Sequence, residues 1–267
     1  MTDKDIKIFN RLKSDFDYVT SLGYKVLGVF LQGSQNYNLD YWGSDIDTKA
    51  IVIPTFEDFV LNRKPASTTL ILPSNEHIDV KDLRLMNECF RKQNINFIEI
   101  LFTKYRYMNP EYAELYQPMF DNNEKIAHYN NYASLNCMCG MIMEKHKAME
   151  HPYPTIIDKI EKYGYDPKQL HHIIRVHEFM SRYIAGVSYA ECLIPADPEY
   201  LIKVKSDVIY ELEIARELAK GYEISAKATK DRYMETHPPV VDTEVDEIMN
   251  NMLFEVLKHS FRKEINE

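Results

Sequence analysis

Residues 25–53, KVLGVFLQGSQNYNLDYWGSDIDTKAIVI, contain two apolar runs and the segment that joins them, and they decide the fold. The first run, 25–32, is rich in β-favouring residues and ends at Gly33 and Ser34, which predicts a buried strand and a tight turn. Gly33 lets the backbone approach an anion, and Ser34 can cap a short helix whose free N–H groups favour negative charge. Because a strand ending in Gly-Ser is usually an ordinary turn, this feature alone does not establish a phosphate site.

The second apolar run carries two carboxylates at its start. Residues 45–53 predict another strand, on which Asp45 and Asp47 are two positions apart and share a face. Neighbouring carboxylates repel each other and resist burial unless a cation compensates them. Mg²⁺ is the natural candidate, with Mn²⁺ as its substitute, because it binds one or two protein carboxylates together with phosphates and water. The alternative is a solvated strand end with two surface aspartates.

A third carboxylate follows in a similar setting. Residues 77–80 read His-Ile-Asp-Val after a turn-forming Pro-Ser-Asn, which predicts a third strand that places Asp79 beside Asp45 and Asp47. Three converging carboxylates can hold two divalent ions, one activating an attacking hydroxyl and one neutralising the leaving phosphate. Asp79 would then act as the base, directly or through a metal.

A glycine-serine turn, an Asp-x-Asp pair and a later aspartate together resemble the signature of the DNA polymerase beta-like nucleotidyltransferase superfamily. The residues that carry the resemblance are Gly33, Ser34, Asp45, Asp47 and Asp79. The stretch LQGSQNYNLDYWGSDIDTKAIVI is similar to a narrower branch, the RNA-repair-pathway polymerase beta proteins of bacteria and phages. One departure is Thr48, where the superfamily prefers an apolar residue; since threonine fits a strand, no catalytic group is put in doubt.

The resemblance extends over about the whole chain and is strongest before residue 103. It continues through NINFIEILF at 94–102 and into a helical part with Lys168, His172 and Arg175. It implies a metal-dependent nucleotidyltransferase that moves a nucleoside monophosphate from an NTP to an acceptor hydroxyl and releases pyrophosphate. Two Mg²⁺ or Mn²⁺ ions would be held by the three aspartates.

A basic stripe is predicted on a helix that begins at Asp166-Pro167 and runs to about residue 185. One face carries Lys168, His172, Arg175, Phe179 and Arg182, and the opposite face carries Leu170, Ile173, Ile174, Met180 and Ile184. A charged stripe is most often just a solvated face. The family resemblance and the acidity of the rest of the chain favour another interpretation, in which Lys168 and Arg175 contact the triphosphate with His172 beside them. Lys203 and Lys205 are weaker candidates for the same role.

The periodicities predict an α/β (α+β) fold, with a small mixed nucleotidyltransferase sheet and helices followed by a C-terminal helical bundle. Strands are predicted at 25–32, 46–53, 77–82 and 97–102. Helices are predicted at 3–22, 84–92, 111–120, 124–149, 167–186, 200–220 and 242–263. The expected domains are a catalytic domain over 1–105 and a helical domain over 106–267 that closes over the nucleotide.

The composition of the chain limits the classes of protein to which it can belong. With 267 residues, of which 45% are hydrophobic, the chain can bury a sizeable core, and its apolar runs are too short to span a bilayer. Four cysteines without a CxxC frame indicate reduced thiols, so we expect a cytoplasmic protein without a membrane partner. The net charge of −9 argues against a long nucleic acid as partner, because such proteins usually present a basic face.

Three functions stay open at this stage. The first is nucleotidyl transfer from an NTP to an RNA end, a protein hydroxyl or a small metabolite. The second is nucleotide binding for regulation without turnover, although the presence of all three aspartates argues against it. The third is a toxin or antitoxin enzyme that transfers AMP to proteins. No motif distinguishes ATP from the other NTPs, so the preferred base is also open.

Overall fold

A computed structural model describes residues 2–41 and 43–266 of the chain. Its five-stranded mixed sheet and many helices confirm the predicted α/β (α+β) class. The strands are β1 (Lys25–Gln32), β2 (Asp47–Ile53), β3 (Ser67–Ile71), β4 (His77–Asp82) and β5 (Arg106–Met108). They lie in the order β3-β4-β2-β1-β5, with β4 parallel to β2 and every other pair antiparallel.

Helices form most of the described chain. Those of the first half are α1 (Asp3–Ser21), α2 (Phe56–Val60), α3 (Leu83–Arg91), α4 (Ile95–Ile98), α5 (Ala113–Asp121), α6 (Asn123–Ala127) and α7 (Asn131–Ala148). The later ones are α8 (Ile157–Tyr163), α9 (Pro167–Ile184), α10 (Tyr189–Leu193), α11 (Pro198–Ser206), α12 (Leu212–Thr236) and α13 (Thr243–Asn266). Among the described residues, no helix is both long enough and apolar enough to cross a membrane.

The strand predictions succeed where an apolar run lies inside the sheet. The bounds of β1 and β4 are those predicted. The predicted strand at 45–53 is wrong at its start, because β2 begins at Asp47, the partner of the last residue of β1, Gln32. Asp45 therefore precedes the strand, and it does not share a strand face with Asp47.

The strand predicted at 97–102 is wrong. This segment forms the end of α4 and a single 3₁₀ turn, Glu99–Leu101. Asn94 caps the helix, since its side-chain oxygen accepts from the backbone N–H of Asn96 at 3.1 Å. Periodicity alone does not distinguish a short apolar run on a strand from one on a buried helix. The two edge strands β3 and β5 were not predicted, because one is largely exposed and polar and the other has three residues.

Two predicted helices are each divided in the structure. The helix predicted at 124–149 is α6 and α7, separated by a cap at Asn130, whose side chain accepts from the Ala133 N–H at 3.0 Å. The helix predicted at 200–220 is α11 and the start of α12, separated at Val208, which has a φ of 52°. The remaining predicted helices are confirmed within a few residues at each end.

The sheet buries its two faces against different partners. One face packs on α1 through a cluster that includes Ile8, Leu12, Val29, Leu31, Ala50, Val52, Ile78 and Val80. On the opposite face, Phe30 of β1 contacts Tyr116 and Phe120 of α5. Because side chains alternate along a strand, the α1 face takes the even positions of β2. Asp47 and Lys49 therefore project to the other face.

The chain divides into two compact units, which are described separately. Unit 1 comprises residues 2–36, 43–129 and 241–266, and unit 2 comprises residues 37–41 and 130–240. Unit 1 contains the sheet, and its last helix, α13, is joined to α3 by an ion pair of 2.7 Å between Arg91 Nε and Asp246 Oδ1. In unit 2, α9 packs against α7, α11 and α12. These bounds differ from a division at residue 105, and the predicted catalytic and nucleotide-closing domains remain a prediction.

Candidate active site

The predicted turn after β1 is present at Gly33. This residue has a φ of 82°, which lies in the left-handed region that glycine adopts at little cost. An added Cβ would meet no atom within 4 Å, so glycine is required here by conformation rather than by space. A 3₁₀ turn over Ser34–Asn36 follows, closed by the Asn36 N–H donating to the Gly33 carbonyl oxygen at 3.0 Å. Ser34 is half-buried at the start of this turn.

A buried carboxylate accepts a hydrogen bond from the backbone N–H of Gly33 in this turn. The Gly33 N–H donates to Oε1 of Glu99 at 3.3 Å, and Glu99 is only 5% exposed. In this conformation the N–H of Gly33, where the backbone was predicted to approach a phosphate, is bonded to a carboxylate of the protein. A bound phosphate would have to displace Glu99 from this position.

The Asp-x-Asp pair lies at the start of β2. Asp45 is exposed and precedes the strand. Asp47, the first strand residue, is half-exposed, and its Oδ1 accepts from the His77 backbone N–H at 3.0 Å. The His77 ring nitrogen Nδ1 lies 3.3 Å from the same oxygen. Asp47 is therefore fixed against the first residue of β4, whereas the carboxylate of Asp45 is open to solvent.

Asp79 is held by a buried lysine. Lys49 and Asp79 are register partners on the parallel strands β2 and β4, and Lys49 Nζ donates to Asp79 Oδ2 at 2.6 Å. The Lys49 side chain is 2% exposed and that of Asp79 22% exposed. The ammonium also lies 3.9 Å from the centre of the Phe97 ring. Burial lowers the pKa of Lys49, and the charge of Asp79 opposes that effect.

The three predicted metal ligands are not grouped as a preformed site among the described residues. Across residues 2–41 and 43–266, no three His, Cys, Asp or Glu side chains are grouped closely enough to hold a metal ion. Mg²⁺ needs only one or two protein carboxylates when a triphosphate supplies further oxygens, and the open Asp45 and half-exposed Asp47 suit that role. Asp79 already has a cation beside it. Its role as a metal ligand stays a prediction.

A polar network ties α1 to the start of β2. The backbone N–H of Ile46 donates to Glu76 Oε1 at 3.0 Å, and the other oxygen of Glu76 is paired with Arg11. Arg11 also binds Asp15 at 2.7 Å, and Asp15 Oδ2 accepts from the Thr48 hydroxyl at 2.6 Å. Burial raises the pKa of Asp15 against the opposing effect of these hydrogen bonds. The network therefore gives Thr48, the departure from the superfamily pattern, a partner that an apolar residue would lack.

The predicted basic helix is α9 of unit 2, and it is not a uniformly charged surface. Asp166 caps it by accepting from the Lys168 N–H at 3.1 Å, and Lys168 itself is exposed. Arg175 is 7% exposed, and its guanidinium carbon lies 4.5 Å from the centre of the Tyr37 ring. Phe179 is also buried. The predicted separation into a charged face and an apolar face is therefore wrong, since neighbouring helices pack around much of α9.

The remaining candidates lie on α9 and α11, and Lys203 of α11 is exposed. His172 is half-buried, and burial, followed by the neighbouring charges of His171 and Arg175, lowers its pKa well below the ordinary value. Lys205 of α11 donates to the Leu39 carbonyl oxygen at 3.4 Å and lies 4.6 Å from the centre of the Tyr41 ring. Cations of unit 2 thus hold segment 37–41, and contact of Lys168, His172 and Arg175 with a triphosphate stays a prediction.

Sequence reasoning did not identify three residues of this region. Lys49 could have been found as a lysine inside an apolar strand, on the same face as Asp47. Glu99 could have been found as a charged residue inside the apolar run 94–102. Glu76 follows the predicted turn Pro73-Ser74-Asn75, and no local pattern indicates that it accepts a hydrogen bond from Ile46.

Comparisons with known proteins add little to this description. No protein-family model matches the chain, and no curated protein matches it in sequence. Among solved structures, the chain is similar to a nucleotidyltransferase-like protein from Exiguobacterium sibiricum 255-15, with 10% identity over 93% of this chain and 79% of that chain. The TM-score is 0.30, and at that value the similarity supports no conclusion about function.

Proposed function

We propose that this protein is a metal-dependent nucleotidyltransferase of the DNA polymerase beta-like superfamily. The observation that carries the proposal is the position of Asp47 and Asp79. They lie on one face of the adjoining parallel strands β2 and β4, at the end of the sheet where β1 turns at Gly33. A glycine turn beside carboxylates that can hold a metal ion is the arrangement that nucleotidyl transfer requires.

The proposed metal ion is Mg²⁺ or Mn²⁺, held by Asp45 and Asp47 with oxygens of the NTP. When bound, it supplies positive charge that neutralises the triphosphate. Gly33 and Ser34 are proposed to bind phosphate oxygens after Glu99 has left the Gly33 N–H. Asp79 is proposed to accept a proton through Oδ1, because its Oδ2 already accepts from Lys49.

The proposed reaction joins an acceptor oxygen to the α-phosphorus of the NTP. The acceptor hydroxyl loses its proton to Asp79 as the new P–O bond forms, and the bond from the α-phosphorus to the bridging oxygen breaks. Pyrophosphate leaves with the electrons of that bond. The products are the acceptor carrying a nucleoside monophosphate and free pyrophosphate.

The acceptor and the preferred NTP are not specified by the residues of the site. An RNA end is supported by the resemblance of residues 31–53 to the RNA-repair branch, whereas the net charge of −9 argues against a long nucleic acid. A protein hydroxyl, as in AMP-transferring toxin or antitoxin enzymes, and a small metabolite are equally compatible. The preference among ATP, CTP, GTP and UTP is open for the same reason.

One observation favours a second candidate, a nucleotide-binding regulatory protein without turnover. Glu99 already occupies the Gly33 N–H. A chain in which Glu99 keeps this contact when nucleotide is bound would lack the proposed phosphate contact of Gly33 and would bind an NTP without transferring any part of it.

The test is to incubate purified protein with each α-labelled NTP, Mg²⁺ or Mn²⁺, and a cell extract separated into RNA, protein and metabolite fractions. We expect label in one fraction with the wild type and with Asp17→Asn, an exposed carboxylate of α1 that serves as the matched control. Asp47→Asn should abolish labelling. Label in no fraction, together with measurable NTP binding, would favour the regulatory protein instead.

A further inference from the structure

Lys49 is an unusual residue for the centre of a sheet. Lysines almost always keep their ammonium group in water, and they are rarely fully buried unless paired. Lys49 is 2% exposed on β2, which pairs with β1 on one side and β4 on the other. Its charge is placed against Asp79 at 2.6 Å and against the face of Phe97 at 3.9 Å. The neighbouring Lys81 lies 5.3 Å from the centre of the same ring.

We propose that Lys49 takes the place of a second metal ion, so that the protein binds one divalent cation, at Asp45 and Asp47. This inference rests on the proposed nucleotidyl transfer and specifies its metal requirement. Asp79 is then not a metal ligand but a carboxylate whose charge the protein itself balances.

Charge and space both oppose a metal ion at Asp79. An ion bound to Asp79 would have to lie at about 2.0–2.1 Å from a carboxylate oxygen with near-octahedral ligands around it. That position is adjacent to an ammonium group, and like charges so close together in a partly buried site oppose each other. Lys49 has no simple route away, because its side chain is enclosed and its backbone is paired on both sides.

Asp45 and Asp47 differ from Asp79 in the positive charge that lies beside them. Asp45 is exposed, and Asp47 accepts from the His77 backbone N–H and faces a half-exposed histidine ring. Neither is paired with a lysine or arginine in the described part of the chain. Lys49 therefore already supplies positive charge to Asp79, whereas Asp45 and Asp47 still need the charge that a cation would supply.

The test counts the metal ions that accompany a bound nucleotide. Protein is dialysed to equilibrium against Mn²⁺ and an α,β-methylene analogue of an NTP, and each of the four NTPs is tested in turn. These analogues cannot be cleaved between the α- and β-phosphates. The bound Mn²⁺ and the bound analogue are then measured. For wild type we expect one Mn²⁺ per analogue, and for Asp79→Asn the same ratio with Mn²⁺ affinity unchanged within about threefold.

Substitution of Lys49 is expected to change the number of Mn²⁺ ions that bind with each analogue. Lys49→Met, which removes the charge while keeping the length, should raise the ratio to two, because Asp79 is then available to a second ion. The double variant Lys49→Met with Asp79→Asn restores charge balance, keeps the ratio at one and serves as the control should the single variant fail to fold. Thermal melting of all variants identifies those that fold.

Two results contradict the inference in distinguishable ways. A wild-type ratio of two that falls to one in Asp79→Asn would show that Asp79 is a metal ligand, while leaving nucleotidyl transfer standing. Binding of no Mn²⁺ with any analogue would remove the proposed function, and the inference with it.

Discussion

The buried His171 of α9 should make the stability of the protein depend on pH. Burial, together with the nearby charges of Arg175, Lys205 and Lys168, lowers its pKa to about 4 from the ordinary 6.5, against the opposing effect of the hydrogen bond that its Nδ1 donates to the Leu201 carbonyl oxygen at 2.8 Å. The folded state thus favours the neutral ring. Its contribution to stability is fully present above pH 6.5 and is lost as the pH falls towards 4, because the unfolded chain then binds a proton that the folded chain does not.

The size of the stability loss follows from the pKa values of His171 in the folded and unfolded states. The gap between about 4 and 6.5 corresponds to about 3 kcal/mol in full, of which about 2 kcal/mol is lost between pH 7 and pH 5. Urea unfolding at the two pH values measures this loss. His171→Asn keeps a side-chain donor for the Leu201 carbonyl oxygen but cannot titrate. Between pH 7 and pH 5 this variant should therefore lose about 2 kcal/mol less free energy of unfolding than the wild type.

The matched control is His151→Asn, a change at an exposed histidine. This variant should retain the full pH dependence of the wild type. Equal losses of stability in the wild type and in His171→Asn would contradict this prediction, since the neutral state of His171 would then contribute nothing to the free energy of unfolding.

Three further substitutions test the turn and its support. Gly33→Ala should lower the free energy of unfolding by about 1–2 kcal/mol, the usual cost of a left-handed conformation for a residue with a Cβ, whereas the helical Gly140→Ala should not lower it; equal effects in urea unfolding would contradict this. Ser34→Ala should weaken triphosphate binding by about 1.5–3 kcal/mol, one hydrogen bond to a charged group, and calorimetric titration with unchanged affinity would exclude that contact. Thr48→Val should cost about 1–3 kcal/mol in urea unfolding, because buried Asp15 loses a hydroxyl donor at 2.6 Å, and an unchanged midpoint would show that water replaces it.

The sheet could be predicted where local pattern and tertiary position agree. The strands β1 and β4 combine an apolar pattern with a turn residue at one end, and both were predicted with their observed bounds. The run at 97–102 was not, because an Asn94 cap and burial decide for a helix where periodicity is ambiguous. The edge strand β5 has only three residues, and it is positioned by pairing with β1 and by packing against α1.

The turn at Gly33 was predicted from the sequence, whereas the contacts of the candidate site residues were not. The roles of the aspartates were inferred from a short stretch of sequence and stay a prediction. The pairing of Lys49 with Asp79 depends on the register of two strands that are 30 residues apart in sequence. The burial of Arg175 depends on helices packed around α9 and on Tyr37, which no local pattern indicates. Contacts of this kind arise from tertiary packing and therefore need the structure.

The most direct test of the central claim is to determine which bond of the NTP is broken. Purified protein with Mg²⁺ or Mn²⁺ and the labelled extract fraction is given NTP labelled at either the α- or the γ-phosphate. We predict that the α-label moves to the acceptor and that the γ-label leaves in pyrophosphate and in the inorganic phosphate formed from it, with no α-labelled acceptor in Asp47→Asn. A γ-label found on the acceptor would show cleavage of another bond and would contradict nucleotidyl transfer.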